Sequence, residues 1–193
     1  NQMKFKNIIF LNVNQMNKNQ HKKNKNNNQT FQNVYISLES FGMSRNTAES
    51  IAKYSNISRF YHKNVHIAYT RIGNREIWCM NQKKTDLESR RKSSEHAEEA
   101  LVKKINRSFF RKQIKYPITM YSIRINRFGV IKCAKPCRDC MRYIINSKIK
   151  IKNIIWIEYD ISGEMTVVSQ NISKSDLKDY GVSSGRRWNR RLQ

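Results

Sequence analysis

Two short stretches, Ser93-Ser94-Glu95-His96-Ala97-Glu98-Glu99-Ala100-Leu101 and Cys133-Ala134-Lys135-Pro136-Cys137-Arg138-Asp139-Cys140-Met141, decide how this chain is read. Each sits where a polar or strand-like segment gives way to a helical apolar pattern, carried by Ala97, Ala100, Leu101 and Ile105 in one case and by Met141, Ile144 and Ile145 in the other. A His-x-Glu triplet alone is a weak signal. Paired with Pro-Cys-x-x-Cys at a second helix start it becomes a strong one, because zinc favours tetrahedral nitrogen and sulfur ligands and a catalytic site presents three of them, leaving the fourth place to water. His96, Cys137 and Cys140 supply that set. The spacing of Cys137 and Cys140 brings both sulfurs round the first helical turn, where free N–H groups and the positive end of the helix dipole stabilise thiolate. Two thiolates neutralise a Zn²⁺, so water bound to it keeps a lowered pKa. Glu98, two residues from His96, is placed to take a proton from that water.

Outward from these stretches, helical and two-residue periods interleave. Ser44 can cap a helix whose apolar face is Ala48, Ile51, Ala52 and Tyr54, ending near Phe60. Val65 to Ile72 and Glu76 to Met80 read as strands of a hairpin turning at Gly73-Asn74, since both residues tolerate positive φ. Lys83 to Ser94 reads as a charged loop, and Ser93 or Ser94 as the cap of the next helix. Ile118 to Asn126 reads as a strand turning at Arg127-Phe128-Gly129 toward Val130 to Cys133, after which Pro136 opens a helix. Ile151 to Tyr159 and Met165 to Ser169 are strands joined through Ser162-Gly163. That connection is too short for the crossover a parallel pair needs, which predicts an antiparallel hairpin. The class is α/β.

These motifs, with the order of elements, resemble the cytidine deaminase superfamily, whose zinc enzymes show H-x-E followed by P-C-x-x-C. The resemblance covers roughly residues 44–170. It implies a three-layer cytidine-deaminase-like fold, with a mixed five-stranded sheet, helices on both faces and the last two strands an antiparallel hairpin. It further implies hydrolytic deamination at C4 of cytosine, or less often C6 of adenine. By position, His96, Cys137 and Cys140 match the family's zinc ligands, and Glu98 its general acid/base. The terminal hairpin is similar to the cytidine and blasticidin deaminase branch, whereas the polynucleotide-editing branches place a helix there. The chain departs from the family in the basic stretch Lys103 to Lys115 and in Ala134-Lys135 ahead of Pro136, and it lacks a clear match to the asparagine-bearing strand that contacts ribose.

The 193 residues suit one core of roughly 120 to 150 residues with extensions. The expected division is a basic Asn/Lys-rich extension (1–43), a deaminase-like domain (44–170) and a basic tail (171–193). Abundant Asn, Lys and Ile is the bias of an AT-rich genome. The formal charge of +24 and pI near 10.2 are unusual for a compact domain, and a polyanion would relieve the self-repulsion. RNA or DNA is the natural candidate, through counterion release; a merely solvated lysine-rich surface is the plainer alternative. Residues 12–30 have too few apolar side chains to offset ordering entropy and read as an arm. Arg186, Arg187, Trp188, Arg190 and Arg191 are candidate nucleic-acid contacts, with Trp188 stacking on a base or anchoring the tail.

Four cysteines, at 79, 133, 137 and 140, are too few and too clustered for a secreted disulfide scaffold, and point to metal chemistry in a reducing, intracellular compartment. Ile8 to Leu11 is shorter than the roughly 7–15 residues of a signal-peptide core, and no stretch reaches the roughly 20 apolar residues of a membrane span. Residues 1–38 are free of acids but also of arginine, which argues against a transit peptide. Cys133 could join the three ligands and close the site, although Glu98 would then have no use. Glu98 could instead be a first-turn helix acid, as Glu95 and Glu99 are read. Cys79 reads as a small buried hydrophobe, and His21, His62 and His66 as surface or core.

The function expected is zinc-dependent hydrolytic deamination of cytosine in a nucleoside, nucleotide or nucleic acid. The alternative is a catalytically idle, basic RNA- or DNA-binding component of a larger nucleoprotein assembly that keeps the deaminase fold. The partners expected are a cytosine-containing substrate and RNA or DNA, in a homo-oligomer or larger assembly and without a membrane.

Overall fold

The computed structural model describes residues 38–39, 41–59, 64–85, 92–109, 114, 116–126, 130–174 and 176–182. Helix α1 spans Arg45–Arg59. Strands β1 (Asn64–Ile72) and β2 (Arg75–Met80) are followed by the short pair β3 (Gln82–Thr85) and β4 (Lys92–Glu95). Helix α2 (Ala97–Ser108) leads to β5 (Ile118–Asn126) and β6 (Ile131–Lys132), and helix α3 (Arg138–Ile145) to β7 (Ile151–Tyr159) and β8 (Met165–Asn171). Two 3₁₀ turns, Ile172–Lys174 and Leu177–Asp179, follow.

The architecture is mixed α/β. The main sheet runs β2-β1-β5-β7-β8, and β6 pairs with β5 as a sixth strand. The five strands of that path are the five expected, and β6 adds a two-residue strand too brief to show a period. β1 and β2 pair antiparallel from Ile72↔Arg75 to Ile67↔Met80, and Gly73 turns between them at φ 58°. β5 and β7 run parallel, Ile118 opposite Ile151, and α3 lies in the crossover between them. The Asp160–Glu164 link from β7 to neighbouring β8 carries Gly163 at φ 81° and closes with Asp160 N–H donating to the Glu164 carbonyl at 2.9 Å, the expected hairpin.

The chain divides into two compact units, 1–65 with 124–132 and 159–167, and 66–123 with 133–158 and 168–193. In the first, Ser44 Oγ accepts from Thr47 N–H at 3.4 Å at the start of α1, and Ala48, Ile51 and Ala52 are buried beside Leu38, Phe41 and Met43 in sequence. Tyr54, expected on the apolar face, is 57% exposed. Its hydroxyl tolerates water, and the helix buries its smaller residues instead. In the second, α2 packs on β2 and on α3 around Leu101, Val102, Ile105, Met120, Met141, Ile144, Ile154 and Trp156. Ile172 and Tyr180 belong to the same cluster.

Lys83 to Ser94 is not wholly a loop. Gln82–Thr85 and Lys92–Glu95 pair antiparallel, with Lys83 opposite Ser94 and Lys84 opposite Ser93. Both segments are polar in sequence, so no apolar alternation marks them as strands. Ser93 and Ser94 lie in β4, and His96 is the N-cap of α2. Pro136 likewise stands outside α3, whose N-cap is Cys137, since an extended Cys137 (φ −79°, ψ 163°) delays the first helical residue to Arg138. Among the described residues no helix is long and apolar enough to cross a membrane. The arm at 12–30, the turn at 127–129 and Arg186 to Arg191 lie outside the described residues.

Candidate metal centre

Both stretches quoted at the outset end as helix N-termini of the same design. His96 (φ −74°, ψ 152°) and Cys137 are extended N-caps whose carbonyls accept the first intrahelical bonds, from Ala100 N–H and Met141 N–H at 3.0 Å each. Neither makes a side-chain cap, so His96 and Cys137 are free to turn their side chains elsewhere. Cys140 lies in the first turn of α3, and α2 and α3 pack together.

The result is one cluster. His96 Nδ1 lies 3.2 Å from Cys140 Sγ and 3.4 Å from Cys137 Sγ, and all three ligand atoms fall within 4.8 Å of one another. For tetrahedral zinc, with Zn–S near 2.3 Å and Zn–N near 2.05 Å, the nitrogen–sulfur separation is about 3.6 Å. The donor set and its spacing therefore fit a metal ion, and Nδ1 is the nitrogen offered. The sulfurs are linked by a hydrogen bond, which together with His96 brings Cys137 down to about 4 despite burial and pushes Cys140 up. The bond from Cys137 raises His96. Cys133 is exposed and outside the cluster, so the closed four-ligand arrangement finds no support. Cys79, expected as a small buried hydrophobe, is half-buried, and burial pushes its thiol up.

The three acids flanking His96 and Ala97 separate cleanly. Glu95 and Glu99 both accept from Lys103 Nζ, at 2.6 and 2.5 Å, which draws the lysine pKa up. Glu98 turns inward and is fully buried. Its Oε2 lies 3.6 Å from Cys140 Sγ, and its Oε1 lies 3.2 Å from the Ser122 hydroxyl and 3.4 Å from His66 Nε2. Glu98 is therefore packed against the His96–Cys137–Cys140 group, while Glu95 and Glu99 are engaged by Lys103.

His66 and Ser122 escaped the sequence reading, which had placed His66 at the surface or in the core. The signal was present but long-range. Side chains two apart along a strand share a face, so His66 lines up with buried Ala68 on β1, and Ser122 with buried Met120 on β5. Ala68 and Met120 belong to the core under α2 and α3. Arg138, next to Cys137, is held by the C-terminal segment: its backbone N–H donates to Gly181 O at 2.9 Å, and its Nε to Leu177 O and Tyr180 O at 3.0 Å. His21, His62 and the arginines and tryptophan of 186–191 lie outside the described residues.

No protein-family model, curated protein or solved structure matches this chain. Fold and site together define a mixed α/β domain whose His96, Cys137 and Cys140 are placed to hold a metal ion.

Proposed function

We propose that the chain is a zinc-dependent hydrolytic deaminase of cytosine, in a nucleoside, nucleotide or nucleic acid. The observation that carries this reading is the burial of Glu98 against a three-ligand group: the carboxyl oxygen Oε2 sits 3.6 Å from Cys140 Sγ, while His96 and Cys137 complete the donor set. A Zn²⁺ bound there supplies a water of lowered pKa. His96 would hold the ion from the start of α2, and Cys137 and Cys140 from the start of α3, whose dipole favours their thiolates. Glu98 accepts a proton at Oε2 and delivers it to the base, so that cytosine and water yield uracil and ammonia.

The chemistry is supported by the donor set and by the inward acid, and the resemblance in H-A-E and P-C-R-D-C supplies the substrate class. The net charge of +24 supports a polyanionic substrate or partner. The terminal hairpin resembles that of the free-nucleoside branch. The test is to incubate zinc-loaded protein with cytidine, with deoxycytidylate and with single-stranded RNA and DNA oligonucleotides, and to measure uridine or uracil. Uracil formation that disappears in Glu98→Ala is expected. Zinc-loaded protein that binds oligonucleotides yet converts none of these substrates would replace the enzyme with the idle basic component.

A further inference from the structure

Ser122 stands at a three-way junction. Its hydroxyl lies 2.8 Å from the Ala134 carbonyl, 2.8 Å from His66 Nε2 and 3.2 Å from Glu98 Oε1. A hydroxyl has one hydrogen to give. The Ala134 carbonyl can only accept, so that hydrogen goes to Ala134 or is shared with Glu98. In either arrangement the short contact to His66 needs its hydrogen from the ring. The geometry therefore assigns the Nε2–H tautomer to His66, donating to Ser122 Oγ, with Glu98 Oε1 at 3.4 Å as a second acceptor for the same N–H.

Burial falls outward along this chain of contacts. Glu98 is 0% and Ser122 1% exposed, while the His66 side chain is 21% exposed. The two carboxyl oxygens have different neighbours: Oε1 faces Ser122 and His66, and Oε2 faces Cys140 Sγ. A glutamate side chain has three torsions, and one held only by its helix would sample several rotamers. A proton carrier must instead stay within hydrogen-bond reach of its partner.

We infer that His66 and Ser122 are positioning residues that grip Oε1 of Glu98 from the neighbouring strands β1 and β5 and so aim Oε2 at the His96–Cys137–Cys140 group. Their catalytic consequence rests on the deaminase reading, in which Glu98 carries the proton. Their geometry does not.

The experiment uses the full zinc-loaded chain with ¹⁵N-labelled histidine. A long-range ¹H–¹⁵N correlation spectrum should show His66 as the Nε2–H tautomer near neutral pH, and Ser122→Ala and Glu98→Gln should each shift its Nε2 resonance. A Nδ1–H tautomer, or a His66 signal that neither variant moves, would overturn the inference. In turnover, Ser122→Ala and His66→Phe should lower kcat by about 10- to 100-fold, the usual cost of losing an outer partner. KM and zinc content should be unchanged. His66→Gln, whose amide can present an N–H near the same place, should recover part of the loss. A loss carried by KM would make His66 a substrate contact, and a loss of zinc with activity would make the pair structural; either overturns positioning. Should Ser122→Ala fold poorly, the partly exposed His66 variants decide the matter. If no cytosine substrate is converted at all, the deaminase reading falls, while the tautomer and its response to the variants still decide the grip.

Discussion

Glu98→Gln should make this protein more stable and far less active. The replacement keeps the shape of a fully buried side chain and removes its acid. A carboxylate taken wholly out of water costs several kcal/mol, and only short, well-aligned partners repay it. Here the contacts to Ser122 and His66 are 3.2 and 3.4 Å, longer than the roughly 2.7–2.9 Å of charge-assisted bonds, and the third, to Cys140 Sγ, is to a thiol, a weak donor. Zinc adds no net attraction, since the two thiolates cancel its charge. Gln keeps an oxygen for Ser122 and turns its amide toward Cys140. The expected gain is about 1–2 kcal/mol, which for a chain of this size raises Tm by about 2–8 °C. Proton transfer contributes about 10²–10⁴ in rate, so the barrier should rise by about 2.7–5.4 kcal/mol. Thermal unfolding of the zinc-loaded variant, beside uridine or uracil release, reads both. A Tm lowered by several degrees with zinc retained would make Glu98 a structural acid, and turnover within tenfold of the parent would remove it from the chemistry.

Elemental analysis should find about one zinc per chain, lost in His96→Ala or Cys137→Ser and kept in Cys133→Ser, whose side chain is exposed outside the cluster. Leu101→Ala, at a fully buried position of α2, should cost about 2–5 kcal/mol in urea unfolding. Log affinity for single-stranded RNA or DNA should fall by about 0.7 per neutralised phosphate with log salt, and deleting residues 186–193 should reduce that slope by about two to four phosphates' worth. An unchanged slope would place the phosphate contacts elsewhere.

The parts legible in the sequence are those whose signal is local. Ile118–Asn126 and Ile151–Tyr159 run as read because each is a long apolar or alternating segment with clear breaks at its ends. The Gly73-Asn74 turn and the His96, Cys137 and Cys140 grouping were equally visible, the first from φ preference and the second from ligand chemistry. What stayed hidden depends on partners far along the chain. β3 and β4 are polar and pair with each other. Glu98 is told from Glu95 and Glu99 by its place two residues after His96, but its meeting with Ser122, 24 residues on, is not visible locally. His66 and Ser122 are 56 residues apart, and nothing local tells that their strands bring them together.

The spacing of the ligands along the chain has a thermodynamic consequence. His96 and Cys137 are 41 residues apart, with all of β5 and β6 between them. A covalent bridge over such a span removes about 4 kcal/mol of freedom from the unfolded chain on the loop-entropy model. A cation gripped from both ends would act as a reversible staple, reaching the same value at about a thousandfold excess over its Kd. That is a large share of the roughly 5–15 kcal/mol that holds a typical domain together. Free-metal concentration would then add to the apolar packing that already joins α2 and α3.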